Sequence, residues 1–426
     1  MTSFKLVKIG EIGEVVTGRT PKTDTQDNFG QDYMFLGPTD LQESFKIKTS
    51  EKMLSAKGLE SIKSSTIDGI SICVGCIGSD MGNVSLVMEK CATNQQINSI
   101  TRIKEDIYNP FYIYYWLKGK KQFLFNLANV TTTPILNKTN FSNIEINLPT
   151  KSSQDKVANF LMLIDEKIEL NNKINKQLEM IVKLIYDYWF VQFDFPDENG
   201  KPYKSSGGKM VYNKDLKREI PMGWGAGRLS DFEQKIITGK TPSTDDKNNF
   251  GGDIPFICIG DVRGNMYITK TENTLTGVGA ASQANKFIPK DTICVTCIAS
   301  PGLVAFTTSE SQTNQQLNSV VCGKKENRFF LYFYLKDYFN FAKVKMGNTF
   351  ANMNKDDFSS ILLPYPKDEI VDSFSEKVKS VFESIMLNSQ ENNSLIELRD
   401  FLLPMLMNGQ VTVSEARIKS LLKSNS

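Results

Sequence analysis

The longest regular pattern in the chain is a heptad. From Val157 onward, residues at alternating steps of four and three read Val157, Leu161, Ile164, Ile168, Asn171, Asn175, Leu178, Val182, Ile185 and Trp189. Adding 217 to each position gives Phe374, Val378, Val381, Ile385, Asn388, Asn392, Leu395, Arg399, Leu402 and Leu406. Both stripes are apolar at their ends and place two asparagines at the centre, which predicts two helices packed as a coiled coil. Antiparallel pairing sets Asn171 opposite Asn392 and Asn175 opposite Asn388. Parallel pairing would also align Asn with Asn, so the pattern alone leaves the direction open. The covalent order favours the antiparallel form, because a pseudo-twofold relation lets each helix run back along the other and puts the globular parts at opposite ends. The plainer alternative is two amphipathic helices, each packed on its own domain. Pro404 lies within the second stripe, so that helix is expected to kink or fray near its end.

Outside the stripes the texture changes to β-branched runs separated by Gly, Asn, Asp and Thr clusters, which read as strands and turns. "SICVGCIG" and "NIEINLP" are candidate strands, and "NPFYIYYWLKGKKQFLF" is a candidate helix. The chain then repeats itself. "TGRTPKTDTQDNFGQD" from Thr17 matches "TGKTPSTDDKNNFGGD" from Thr238, and "ICVGCI" matches "ICVTCI", both at an offset of 221. "TNQQINS" returns as "TNQQLNS" at 220, and "NKTNFS" as "NKDDFS" at 217. Collinear matches with a slowly drifting offset mean a tandem duplication. The expected organisation is a globular segment over 1–150, a helix over 151–190, a connector over 191–222, a second globular segment over 223–366, a second helix over 367–407 and a tail over 408–426. The connector's Pro, Gly, Ser and Lys content predicts a long, flexible link. The fold class is therefore α+β: two pseudo-twofold-related globular α/β domains separated by two long helices forming an antiparallel coiled coil.

Composition mainly removes chemistries. The chain has no histidine, so every Ser–His or Cys–His nucleophile scheme is excluded. "GKT" at Gly239 resembles the end of a phosphate-binding loop, but Gln234 stands where the earlier glycine is required. "PDENGK" in the connector imitates a nuclease carboxylate–lysine cluster with the wrong spacing, and no amino-methyltransferase motif is present. Cys73/Cys76 and Cys294/Cys297 form two CxxC pairs within β-branched runs. Residues three apart on a strand face opposite sides, so buried core cysteines are expected in place of a zinc site. The odd cysteine count, the absence of an apolar span and the absence of a signal-like start make a cytosolic protein the default expectation. A net charge of +2 leaves any phosphate-binding surface local.

Binding remains. "TGRTPKT" and "TGKTPST" combine glycine, hydroxyls, a cation and a rigid proline, a set able to contact one phosphate. The candidate DNA-binding residues are Arg19, Thr20 and Lys22 in the first copy and Lys240, Thr241 and Ser243 in the second, with Lys138 and Lys355 from "NKTNFS" and "NKDDFS". The amides of Asn94, Gln95, Gln96 and their partners Asn314, Gln315, Gln316 suit adenine edges, but identical residues cannot distinguish two half-sites, so structural hydrogen bonding is the favoured reading and base contact the alternative. The halves differ most over 44–65 against 264–285 and over 126–136 against 343–353, where differing readout is expected.

The ordered set "TGKTPS…NNFGGDIPFI", "TNQQ", "YDYWFVQFDFP…NGKPYKSSGGKMVYN…REIPMGW" and "LRDFLLPMLMNGQV" resembles type I restriction–modification specificity subunits over essentially the full chain. The resemblance implies one target-recognition domain per half of a bipartite double-stranded DNA target, with helices that form the spacer and hold two methyltransferase subunits. A restriction/translocase subunit joins the assembly, which serves host defence. It implies no catalysis by this subunit, and S-adenosylmethionine, ATP and magnesium bound by the partners. A protein-only coiled-coil adaptor and the recognition part of a modification enzyme are the alternatives.

Overall fold

The computed structural model describes residues 4–41, 45–128, 134–346 and 352–413. The chain divides into two compact units, one made of Met1–Ile168 with Leu395–Ser426 and the other of Glu169–Ser394. Each unit therefore contains part of both long helices, Lys151–Tyr186 and Asp368–Met407.

In the first unit the strand Ser71–Gly75 is buried at every position. It lies between antiparallel strands Ile97–Thr101 and Val84–Val87, in a five-stranded sheet edged by Glu14–Thr17 and Lys46–Ile47. Its side chains alternate between two cores, as the strand period requires. Ile72 and Val74 join the core of the aromatic helix Pro110–Lys118, and Cys73 joins the core beneath a second sheet. That sheet is four-stranded, in the order Lys52–Leu54, Phe29–Leu36, Cys91–Thr93, Thr66–Ile67.

The second unit repeats this plan with Ile293–Thr296 at the centre, between Leu317–Val321 and Val304–Thr307. The segment over 264–285, so unlike 44–65 in sequence, forms the same succession of two short strands and a short helix. Divergence there changes the side chains on a shared frame. The other divergent pair, over 126–136 and 343–353, lies partly outside the described residues, which omit 129–133 and 347–351.

Four expectations change. The helix "NPFYIYYWLKGKKQFLF" is two helices, Pro110–Lys118 and Lys121–Asn126. Gly119 separates them and packs against Leu403, consistent with glycine's poor helix propensity. The equivalent helix in the second unit, Asn327–Met346, is unbroken. The first long helix ends in a π-helical turn, Asp187–Val191, which buries Phe190 as well as Trp189; the heptad placed only Trp189 inward. The second helix does not fray at Pro404: it continues to Met407, with Leu403, Leu406 and Met407 in the first unit's core. The N–H hydrogen bond that proline cannot donate would have gone to the carbonyl of Asp400, an exposed residue.

The connector is not a free linker. Phe193, Phe195, Ile220 and Trp224 are buried in the core of the second unit. Phe195 stacks between Tyr203 and Trp224, at ring separations of 4.8 and 5.4 Å. Strands Met210–Asn213 and Arg218–Pro221 close a hairpin, and the Asp194 carboxylate accepts from the Ser205 amide and hydroxyl at 2.7 and 2.6 Å. These bonds hold the Asp194 carboxyl below its usual range.

Candidate nucleic-acid interface and helix seam

In the first unit the loop after Glu14–Thr17 is fastened to the turn before Ile97–Thr101. The Gly18 amide donates to Ile97 O at 3.1 Å and the Arg19 amide to Thr93 O at 2.8 Å. The Thr17 hydroxyl donates to Asn98 Oδ1 at 2.6 Å, and Asn98 Nδ2 donates to Leu136 O at 3.1 Å. Gly18 has no alternative here, since a Cβ would stand 2.1 Å from Asn94 O and 2.2 Å from the buried Thr93 hydroxyl. Asn94 is spent locally: its Oδ1 accepts from the Gln96 amide and its Nδ2 donates to Gln96 Oε1. Gln95 is exposed and accepts from the Thr20 hydroxyl at 2.8 Å. The result is a ledge at one edge of the sheet, with Arg19 and Lys22 exposed on it.

The second unit builds the same ledge. Lys240 N donates to Thr313 O at 2.9 Å, Thr238 bonds Asn318 at 2.6 Å, and Thr241 bonds Gln315 at 2.5 Å. A Cβ on Gly239 would lie 2.1 Å from Asn314 O. Lys240 and Ser243 are exposed, and the Ser243 carbonyl accepts from Asn249 Nδ2 at 2.9 Å. Thr20 and Thr241 thus already hold a glutamine oxygen, and the amides of Gly18, Arg19, Gly239 and Lys240 are bonded within the ledge, so the exposed cations of these loops are better placed for a phosphate than their hydroxyls. Lys138 and Lys355 are exposed first residues of one-turn helices, capped by Asn137 and Asn354. Leu136, two residues before Lys138, ties its segment to Asn98 and hence to the ledge.

The seam is antiparallel within the second unit. Asn171 Nδ2 donates to Asn392 Oδ1 at 2.9 Å and to Glu391 at 2.7 Å, while Asn392 Nδ2 donates to Asn172 at 2.8 Å. Asn388 Nδ2 donates to Asn175 Oδ1 at 2.8 Å. Asn171 and Asn392 are buried; Asn175 and Asn388 are half-buried. The helices also pack on the domains: Phe374, Val378 and Phe382 join the second unit's core, and Val157, Ala158 and Leu161 the first's. Val157, Leu161, Phe374 and Val378 belong to the heptad stripe itself, and Ala158 and Phe382 lie one residue off it, so the ends of each stripe are also core of a domain. Replacing Asn171 alone by Ile should cost about 1–3 kcal/mol, since the Asn392 carbonyl oxygen loses its donor in a buried layer. Replacing Asn171, Asn175, Asn388 and Asn392 together by Leu should instead raise the thermal midpoint. Thermal unfolding of both variants checks this, and a quadruple variant melting below the parent would rule out the seam assignment.

The chain matches the family described as "Type I restriction modification DNA specificity domain" twice, over residues 1–180 and 221–397. It belongs to that family. It is 34% identical to the HindI specificity subunit of Haemophilus influenzae over 332 residues, covering 66% of this chain and 72% of the relative. It is 26% identical to the MjaIX specificity subunit of Methanocaldococcus jannaschii, covering 96% and 93% of the two chains. The crystal structure of a type I system S subunit from M. genitalium shares the fold, with a TM-score of 0.55 at 14% identity and coverage of 95% and 96%.

Within this DNA-specificity family, the remaining motifs of the chain fall to structural roles. In each CxxC pair one cysteine lies on the central strand and the other directly after it, and the two are buried in different cores, Cys73 apart from Cys76 and Cys294 apart from Cys297. Burial pushes the Cys76 and Cys297 thiols up to about 11. Asp197 of "PDENGK" closes its own turn, accepting from the Asn199 and Lys201 amides. Two features escaped the sequence reading. Arg399, a charge on an apolar stripe, pairs with Asp165 at 2.5 Å, and Tyr115 donates to the same carboxylate at 2.6 Å. The long helices also carry exposed Leu170, Ile181 and Leu184, and 217 residues later exposed Leu387, Leu398 and Phe401. That second apolar periodicity was readable as a repeat, but nothing in the sequence showed which stripe faces water.

No helix among the described residues is long and apolar enough to cross a membrane.

Proposed function

We propose that each domain reads one half of a bipartite DNA sequence, that the long helices set the spacing between half-sites, and that the chain acts as the non-catalytic specificity subunit of the complex. The duplicated ledge carries this reading. The same glycine, threonine, amide and carbonyl atoms recur in both units with matching bonds, while the exposed residues around them differ. A shared frame suits phosphate contact by Arg19, Lys240, Lys138 and Lys355; differing neighbours suit differing bases. Methyl transfer and cleavage, with S-adenosylmethionine, ATP and magnesium, fall to partner subunits. The lack of histidine and of an amino-methyltransferase motif in this chain supports this. The exposed apolar residues repeated at the duplication offset along the two helices support docking of two methyltransferase subunits, with a restriction/translocase subunit completing the assembly.

The test is a domain exchange. With residues 1–150 replaced by the equivalent domain of a relative, the complex should select a duplex library with one half-site changed and the other retained. A change in both half-sites, or binding of the parent that ignores salt, would overturn the reading.

A further inference from the structure

The two long helices are copies of one another, and this raises the question of what makes unlike helices pair. The asparagine layers cannot decide it. In the observed register Asn171 meets Asn392 and Asn175 meets Asn388. Because Asn388 and Asn392 are the duplicates of Asn171 and Asn175, a first helix facing another first helix would set Asn171 against Asn175. Amide would still meet amide.

One layer breaks the equivalence. In the first unit Arg399 Nη1 lies 2.5 Å from Asp165 Oδ1, with side-chain exposures of 11% and 4%. The duplicates of these residues, Val182 and Phe382, are fully buried in the apolar core of the second unit. Pairing two first helices would set Asp165 against Val182, and pairing two second helices would set Arg399 against Phe382. Each leaves a buried charge without its counter-ion, and arginine cannot neutralise itself by losing a proton. A second position points the same way. In the second unit Glu179 accepts from the Tyr332 hydroxyl at 3.1 Å and pairs with Lys336, whereas its duplicate is Ile396. A second helix in that place would deprive both groups of their carboxylate.

We propose that the Asp165–Arg399 layer is the selectivity element of the seam: it admits the second helix against the first and rejects a like helix from another copy of the chain. The rejection matters because a like pair would join two identical domains, and its cost falls on the wrong pairs, as selectivity requires.

The test begins with the intact folded chain. A protease site is placed in the exposed turn Glu198–Gly200, and the folded protein is nicked so that its fragments are held by non-covalent contacts alone. Exchange between isotope-labelled and unlabelled nicked parent, followed by native mass spectrometry, sets the baseline of mixed and like pairs. Nicked parent is then incubated with nicked Asp165→Arg/Arg399→Asp chain. Charge-matched mixed pairs should exceed mismatched ones by roughly ten-fold or more; random sorting would overturn the proposal. In nicked Asp165→Phe/Arg399→Val, which gives both positions their duplicates' residues, like pairs should rise by roughly ten-fold over parent. Where phenylalanine overfills the first unit's core, Asp165→Leu/Arg399→Val serves the same purpose. A folded variant of either kind whose like pairs stay at the parent level would also overturn the proposal.

Discussion

Replacing Arg399 by alanine should destabilise the first unit by about 3–5 kcal/mol, the range expected when one partner of a buried ion pair is removed. The size follows from what stays behind. Asp165 is nearly inaccessible and would keep only the Tyr115 hydroxyl as a donor in place of a guanidinium and a hydroxyl. Desolvation opposes the Arg399 charge, but the Asp165 and Asp400 carboxylates outweigh it and hold the guanidinium firmly protonated. The pair is therefore worth much more broken than it contributes whole. Replacing both partners, Asp165→Leu with Arg399→Leu, should return stability to within about 1 kcal/mol of the parent, because packed apolar side chains need no counter-charge. Tyr115→Phe should cost about 1.5–3 kcal/mol by losing one hydrogen bond to a buried carboxylate. Urea unfolding followed by a probe in the first unit measures all three. An Arg399→Ala loss below about 1 kcal/mol would mean that water reaches the pair.

That layer also marks where the sequence stops speaking. The asparagines were legible because a polar residue in an apolar stripe stands out against its neighbours, and because the duplicate repeated it. Cys73 and Cys76 were legible because the strand period is two and cannot bring residues three apart to one face. Arg399 stood on the stripe as an unexplained charge. Its partner Asp165 lies one residue off the stripe, beside Ile164, and reads as solvated until the aromatic helix Pro110–Lys118 is packed over it. The connector misled for a similar reason. Phe193, Phe195, Tyr203 and Trp224 share no period, and only the folded second unit brings their rings together. The ledge glycines were visible as glycines, but their reason is a carbonyl more than seventy residues away, which no local pattern records.

Gly18→Ala and Gly239→Ala make that contact a test of independent reading. In each, the added Cβ would fall 2.1 Å from a backbone carbonyl oxygen and 2.2 Å from a buried threonine hydroxyl, so the strand-end loop must lift off the turn beneath it. Lifting it strains the two amide bonds that fasten the loop, Gly18 to Ile97 and Arg19 to Thr93 in one unit, Gly239 to Leu317 and Lys240 to Thr313 in the other. Overpacking against backbone and the weakened bonds together should cost about 3 kcal/mol or more locally. The cations on the loop would move with it. Because the geometry is the same in both copies, each variant is the other's control. Gly18→Ala should weaken selection for one half-site by roughly a hundred-fold and leave the other intact, and Gly239→Ala should do the reverse, since about 2.7 kcal/mol corresponds to that factor. Arg19→Ala keeps the ledge and removes one charge, so it should lower affinity evenly across sequences and reduce the salt slope by about one. Library selection with each variant in its complex separates these outcomes. Loss of both half-sites from a single glycine variant would show that the domains do not read DNA independently, and loss of neither would place the DNA away from the ledge.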